Sequence, residues 1–165
     1  MTNYICINGK KAELTEEQMK ALGIELPKAS PFERAEKNRR YYKINSFGNV
    51  ESIKEFDDYL DQQAFDAANY CTDKSIMEQR ALHETLNRFL WRYSMEHDED
   101  KIDWCPTTNV AYKIIYNHAK NAFQVDSNDA YQSFGAVYFY THATATNAIE
   151  EIVKPFLAAH PDFKF

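Results

Sequence analysis

Residues 138–144 read YFYTHAT, and the chain around this stretch indicates how the protein folds. Aromatic residues favour strands, and a Thr directly after them is a frequent N-cap because its hydroxyl accepts a hydrogen bond from a first-turn amide. Beyond Thr141, apolar residues recur at intervals of three and four, the spacing of a helix with one buried face: Ala145, Ala148, Ile149, Ile152, Val153 and Phe156. The stretch therefore predicts a strand and then a helix to about Lys154, where Pro155 should end or kink the helix.

A second stretch, residues 69–75, reads NYCTDKS and has the same order of apolar residues, Thr and helical spacing. It predicts a strand over AFDAANYC (64–71) and a helix that Thr72 caps and that runs to about Glu96. The apolar stripe of this helix consists of Leu82, Leu86, Phe89, Leu90 and Tyr93.

The two stretches predict a weak internal duplication of the order strand, strand, strand, helix. Hairpin turns are predicted at residues 47–49 and 118–121, and the third strand of the second half at QSFGAVYFY (132–140). The repeats would cover residues 41–96 and 111–158. Because a hairpin followed by a helix is a common arrangement, a chance match is the alternative.

Residues 1–24 are predicted to form a small hairpin–helix unit. Asn8-Gly9 is a strong signal for a two-residue hairpin turn. Thr15 and Gln18 have the spacing of a capping box, and Gly23 stands where a short helix would end.

Residues 25–40 carry Pro, Ser and mixed charge, and they are predicted to be a linker to a main domain at residues 41–165. The predicted fold class is α+β: antiparallel sheet or sheets, two main helices and the N-terminal hairpin with its short helix.

Composition limits the cellular setting and the chemistry. Three Cys residues and five scattered His residues match neither a disulfide framework nor a zinc site, so no metal and no cofactor is expected. The sequence has neither the form of a signal peptide at its start nor an apolar run of about 18 residues, so we expect a cytoplasmic protein without membrane contact.

Acidic residues concentrate in two segments, residues 51–73 and 96–103, although the net charge is only −6. This balance disfavours strong direct nucleic-acid binding, which needs clustered Lys and Arg. The segments are either solvated loops or an acidic face that meets a basic partner. In the second case the candidate partner-binding residues are Glu51, Glu55, Asp57, Asp58, Asp61, Asp98, Glu99 and Asp100.

Aromatic residues crowd the predicted strands and stand beside a small basic cluster. Such residues could form a site that stacks a nucleotide base and binds its phosphate. The candidate residues for this site are Arg39, Arg40, Tyr41, Tyr42 and Trp104. The alternative is that these aromatic residues form the core. An uncovered aromatic sheet face would also permit a homodimer.

No recognisable catalytic motif is present, so the chain is not expected to be an enzyme. A metal-dependent nuclease using Glu51, Asp57 and Asp58 stays open as a second alternative, on a generic arrangement of carboxylates.

Several stretches resemble small uncharacterised accessory proteins of phages and prophages of Gram-positive bacteria: INGKKAELTEEQMKALGI, PFERAEKNRRYYKINSFGNV, NYCTDKSIMEQRALHETLNRFL, IDW and QSFGAVYFYTHATATNAIEEI. The resemblance covers nearly the whole chain, and its motifs are structural. The resemblance implies a phage-encoded anti-defence protein, for example an anti-CRISPR protein. Such a protein would bind a protein or ribonucleoprotein effector of the bacterial host. A protein that sequesters a nucleotide signal is the alternative.

Overall fold

The computed structural model describes residues 4–7, 10–23, 30–98, 102, 110–128 and 132–164. The chain divides into two compact units, residues 1–33 and residues 34–165. Helices and small antiparallel sheets make up both units, which confirms the predicted α+β class.

The first unit contains the predicted hairpin and short helix. Strands β1 (Tyr4–Ile7) and β2 (Lys10–Glu13) pair antiparallel, and helix α1 (Glu16–Ala21) follows. Thr15 N donates to Gln18 Oε1 (2.9 Å) and Gln18 N donates to Thr15 Oγ1 (3.3 Å), so the predicted capping box is present. The predicted turn residues Asn8 and Gly9 lie outside the described residues.

The second unit begins with the hairpin of β3 (Arg40–Ile44) and β4 (Val50–Lys54), both of whose faces are covered. On one face lies α2 (Tyr59–Asp66), in a cluster with Tyr41, Ile53, Ala64, Phe65 and Tyr70. On the other face lies the long helix α3 (Lys74–His97), in a cluster with Tyr42, Ile44, Val50, Cys71, Met77 and Ala81.

The prediction of a strand over residues 64–71 is wrong. The first part of this segment belongs to α2, and only Cys71 bridges to β3, opposite Tyr42. Asp58 explains the difference, because its side chain accepts from Leu60 N and Asp61 N and so begins a helix at Tyr59.

The N-cap of α3 is Asp73 and not the predicted Thr72. The Asp73 carboxylate accepts from Ser75 N (2.8 Å) and Ile76 N (3.4 Å). Asp is as effective an N-cap as Thr, so the local sequence allows both and the backbone after Cys71 selects Asp73.

The rest of the second unit is a sheet with a helical segment against one face. Strands β5 (Ala111–Asn117), β6 (Ala122–Asn128) and β7 (Tyr138–Phe139) have the order β6-β5-β7. The hairpin β5–β6 is as predicted, whereas β7 has two residues and not the nine predicted, because a turn with Gly135 at φ +76° precedes it.

The second predicted helix starts as expected and continues past its predicted end. Thr141 caps α4 (His142–Ala148) by accepting from Thr144 N at 3.0 Å. The chain then forms a π-helical segment (Ile149–Val153) and α5 (Lys154–Ala159). Pro155 thus does not end the helix: the widened π segment changes the hydrogen-bond pattern just before the residue that lacks a donor.

Helix α3 connects the two halves of this unit. Its first half contacts β3 and β4, and its second half contacts β7 and α4. The second half contributes Tyr93 and Leu90 to a core cluster with Tyr112, Ile114, Val125, Val137, Phe139, Ala145, Ala148 and Ile152.

The two halves share one topological feature. In each, a hairpin is followed by a short segment that pairs antiparallel with the hairpin's first strand: Cys71 with Tyr42, and Phe139 with Tyr112. A capping residue follows two positions later in both halves. Helix α2, however, has no described counterpart in the second half, so the internal duplication stays a prediction.

Candidate functional site

The exposed segment Phe56–Leu60, called the turn below, follows β4 and includes the first two residues of α2. Three of its five side chains are large and apolar or aromatic, yet they face solvent: Phe56 is 52% exposed, Tyr59 72% and Leu60 64%. The other two residues, Asp57 and Asp58, are also exposed. Apolar and acidic groups are therefore presented together on one short segment.

Two buried carboxylates hold the backbone of this turn. Glu55 is 1% exposed and Asp61 is 2% exposed. Phe56 N donates to Asp61 Oδ2 (2.7 Å), Asp58 N donates to the same oxygen (3.3 Å), and Asp57 N donates to Glu55 Oε1 (2.9 Å). Asp57 has a left-handed backbone with φ +64°, a conformation that Asp tolerates better than most residues.

Two tyrosines complete the network from the interior. Tyr41 Oη donates to Asp61 Oδ1 (2.9 Å), and Tyr70 Oη donates to Glu55 Oε2 (2.7 Å). The two rings stack with centroids 4.0 Å apart and an interplanar angle of 14°. Each buried carboxylate therefore accepts from both a tyrosine hydroxyl and the turn backbone.

Arg34 joins the buried and the exposed carboxylates. Its Nη2 lies 3.0 Å from Glu55 Oε1 and 3.0 Å from Asp57 Oδ1. The neighbouring Ala35 N donates to Tyr70 Oη at 2.9 Å. Arg34 and Ala35, which lie within the predicted linker, are therefore bound to the rest of the second unit through this network.

The pKa values follow from burial and these contacts. Burial alone would raise the pKa of Asp61, but the hydrogen bonds from Phe56 N, Tyr41 Oη and Asp58 N outweigh burial and lower it. Burial, together with the hydrogen bond to Glu55, raises the pKa of Tyr70 to about 12. Tyr41 has a raised pKa for the same reasons, with Asp61 as its acceptor. The ionised carboxylate of Asp61 and the neutral tyrosines thus match the donors and acceptors that the structure shows.

The acidic candidates separate into buried and exposed residues. Glu55 and Asp61 lie beneath the turn and stabilise it, so their carboxylates do not reach a partner. Glu51 is exposed on β4 and accepts from Asn45 Nδ2 (2.8 Å). Within the acidic segment 51–73, Asp57 and Asp58 are the two carboxylates that the turn exposes to solvent.

The second acidic segment is described only at its start. Asp98 is half-buried at the end of α3, and Ser94 Oγ lies 2.9 Å from its Oδ2. Glu99 and Asp100 lie outside the described residues.

The described residues of the predicted aromatic ligand site lie in different surroundings. Tyr41 is buried against Tyr70 and offers no face for stacking a base, and Tyr42 contributes to the cluster under α3. Arg39 and Arg40 are exposed, with Arg40 Nη1 donating to Ser52 Oγ at 2.9 Å. Trp104 lies outside the described residues.

The described residues offer neither a metal site nor a membrane span. Within the described residues, no group of three or more His, Cys, Asp or Glu side chains is placed to hold a metal ion, the predicted nuclease set Glu51, Asp57 and Asp58 included. In the same part of the chain, every helix is too short or too polar to cross a bilayer.

None of the three large apolar or aromatic residues of the turn is among the predicted site residues. Phe56 and Leu60 stand among carboxylates in a segment whose prediction rests on charge, and Tyr59 is one of the many aromatic residues of the sequence. The available signal was Asp58, three residues before Asp61, which is the spacing of an N-cap and its reciprocal partner. An N-cap at Asp58 predicts that α2 starts at Tyr59, which places Tyr59 and Leu60 in the first turn of the helix.

Comparison with known proteins gives no relative: no protein-family model, curated protein or solved structure matches the chain.

Proposed function

We propose that this protein is a non-enzymatic binding protein that inhibits a host defence effector by covering one of its basic surfaces. The observation that carries the proposal is the turn Phe56–Leu60, which exposes three large apolar side chains and two carboxylates. Aromatic anchors surrounded by polar groups are the usual composition of protein–protein binding hot spots.

The buried network favours binding because it fixes the turn before a partner arrives. Each of the amides of Phe56, Asp57 and Asp58 donates to a buried carboxylate. Association costs conformational entropy when loops must be ordered, and a turn already held in one conformation avoids much of that cost. Glu55 and Asp61 act in this proposal as positioning residues beneath the contact surface.

The charge of the turn defines the chemistry of the partner. Asp57 and Asp58 complement Lys and Arg, while Phe56, Tyr59 and Leu60 need an apolar depression between such cations. A basic, nucleic-acid-binding groove of a protein has both features, and charge complementarity mainly raises the association rate and specificity. The resemblance to phage and prophage accessory proteins makes a host immune effector, such as a CRISPR nuclease in the bacterial cytoplasm, the proposed target.

An isosteric charge removal tests this proposal. Asp57→Asn/Asp58→Asn keeps a residue type that tolerates the left-handed backbone at position 57 and retains an N-cap at position 58. The wild-type chain is used to capture its effector from an infected Gram-positive host, and the captured protein is then purified. We expect the double variant to bind it at least about tenfold more weakly, with a smaller salt dependence.

The matched control removes one carboxylate from another part of the unit, with Asp162→Asn at an exposed position. Retained affinity in the control with loss in the turn variant supports the proposal. Equal affinity of wild type and turn variant, or capture of a partner without a basic surface, contradicts it.

A further inference from the structure

A short segment, residues 160–164, follows α5 and is bound to side chains of α3. Phe163 N donates to His160 O at 3.0 Å, which closes a four-residue turn. Pro161 stands at the second position of this turn, where its fixed φ angle favours the turn before anything is bound. The segment is therefore a preformed turn that ends on an aromatic residue.

One side chain of α3, Gln79, binds the backbone of this segment on both sides of Phe163. Gln79 Nε2 donates to Asp162 O (2.8 Å), and Lys164 N donates to Gln79 Oε1 (2.9 Å). A primary amide carries the donor and the acceptor of a peptide group, so Gln79 pairs with this backbone as a neighbouring strand would. Because the contacts are to main-chain groups, the same backbone from another chain would satisfy them equally well.

The aromatic ring of the segment contacts both α3 and α5. The Phe163 centroid lies 4.5 Å from the His83 ring and 5.8 Å from the Phe156 ring, and Phe156 is buried. His83 Nε2 also donates to Lys164 O at 2.8 Å, since a carbonyl oxygen only accepts. This face of α3 therefore binds two features together, an aromatic side chain and the backbone on either side of it.

A cleft with a volume of about 560 Å³ adjoins the bound segment. Its walls are residues 48–50 between β3 and β4, the part of α3 from Lys74 to Leu82, and residues 159–162. The segment forms one wall of the cleft because its chain arrives from α5. A peptide that is not joined to α5 can place the residues before its turn in this cleft, and it then buries more surface than residues 160–164 do.

We propose that this face of α3 is a binding site for a partner's peptide whose turn ends on an aromatic residue, and that residues 160–164 cover the site in the free protein. Gln79 and His83 bind the peptide backbone, and Phe156 contacts the ring. The chain's own segment lowers the apparent affinity for the partner by the fraction of time that it covers the site. The turn Phe56–Leu60 is a separate surface, so binding through both would give avidity.

A peptide with the sequence of residues 160–164, HPDFK with an amidated end, tests the site in the full chain. Phe163→Ser weakens the chain's own segment and leaves Gln79, His83 and Phe156 in place. Titration followed by NMR should show that this variant binds the peptide at least about tenfold more tightly than the wild type. The peptide HPDSK, which lacks the aromatic ring, should bind neither protein.

Lys164→Pro uncovers the site by a second route, and circular dichroism checks that each variant is folded. The substitution removes the N–H that donates to Gln79 Oε1 and leaves the Phe163 ring unchanged. We expect about the same tenfold gain in affinity for HPDFK.

Gln79→Leu, added to Phe163→Ser, shows whether the peptide binds at this site. Leucine is similar in size but pairs with no backbone group, so the gain in affinity should be lost. Gln63→Leu in the same background makes the same change at an exposed position of α2 and should retain the gain.

If Phe163→Ser and Lys164→Pro both bind the peptide no better than the wild type, the proposal is wrong. Binding that Gln79→Leu leaves unchanged also overturns it, because the peptide then lies elsewhere. A wild-type dimer that Gln79→Leu converts to a monomer would assign the site to the segment of a second copy, and this result too overturns the proposed partner peptide.

Discussion

At the scale of single residues, the placement of two carboxylates decides how the candidate site works. Glu55 and Asp61 stand in an acidic segment, yet each is almost fully buried. Burying a carboxylate is costly unless hydrogen bonds replace its hydration, and here backbone amides and tyrosine hydroxyls do so. Removing one partner of such a network leaves the remaining groups buried and unpaired.

Asp61→Asn tests that network through stability and pH. The amide nitrogen cannot accept a hydrogen bond, so at least one of the donors Tyr41 Oη, Phe56 N and Asp58 N loses its acceptor. We expect a loss of about 2 kcal/mol in the free energy of unfolding at neutral pH, measured by urea denaturation.

The pH dependence of the same variant has a defined sign. The folded-state pKa of Asp61 is lowered, so its stabilisation is present above the unfolded-state pKa of about 3.9 and is lost as pH falls through the folded-state value. The loss in Asp61→Asn relative to wild type should therefore shrink as pH falls below about 4. A difference independent of pH would contradict the assigned ionisation, and the exposed Asp66→Asn serves as the control.

At the scale of elements, capping residues set the starts of the helices. Asp58, Asp73 and Thr141 each accept first-turn amides, and each stands at a loop-to-helix boundary. The hydrogen bond reaches only two or three residues along the chain, so such boundaries are readable from sequence when the correct capping residue is chosen.

Thr141→Ala tests the cap that the sequence predicted. Loss of the bond from Thr144 N should cost about 1 kcal/mol of unfolding free energy. Thr141→Ser keeps the hydroxyl and should stay close to wild type in the same denaturation experiment. If both variants lose the same stability, packing of the Thr methyl group and not the cap is responsible.

Two segments differ from their predictions. Residues 64–71 have an extended-looking composition, but most of them belong to α2 and the turn after it. Pro155 is a strong helix breaker in isolation, yet the helical segment continues to Ala159 after a π turn. In the first place the Asp58 cap begins the helix upstream of the predicted strand, and in the second the π segment changes the hydrogen-bond pattern just before Pro155.

At the scale of the whole molecule, α3 joins the two halves of the second unit. Met77 and Ala81 belong to the cluster beneath β3–β4, and Leu90 and Tyr93 belong to the cluster beneath the three-stranded sheet. Because one uninterrupted helix contributes to both clusters, loss of either should weaken the other.

Two core truncations test this cooperativity. Met77→Ala should cost about 2–5 kcal/mol and Phe139→Ala about 3–5 kcal/mol, both residues being fully buried. In each variant, amide exchange in β3–β4 and in β5–β6 should report one common unfolding transition with urea. Separate midpoints for the two hairpins would show that the halves unfold independently.

The sequence by itself determined the local framework: both hairpins of the second unit, the N-terminal hairpin and its capping box, the helix after Thr141 and the long α3. Each depends on turn residues, caps or apolar spacing within a few positions, where the interacting groups are close along the chain. The acidic residues in the sequence, by contrast, show how many carboxylates a segment has and not which of them are buried. Tertiary structure alone decided that Glu55 and Asp61 are buried while Phe56, Tyr59 and Leu60 are exposed. The physical reason is that the donors for the two carboxylates come in part from Arg34, Tyr41 and Tyr70, which only the folded chain brings together.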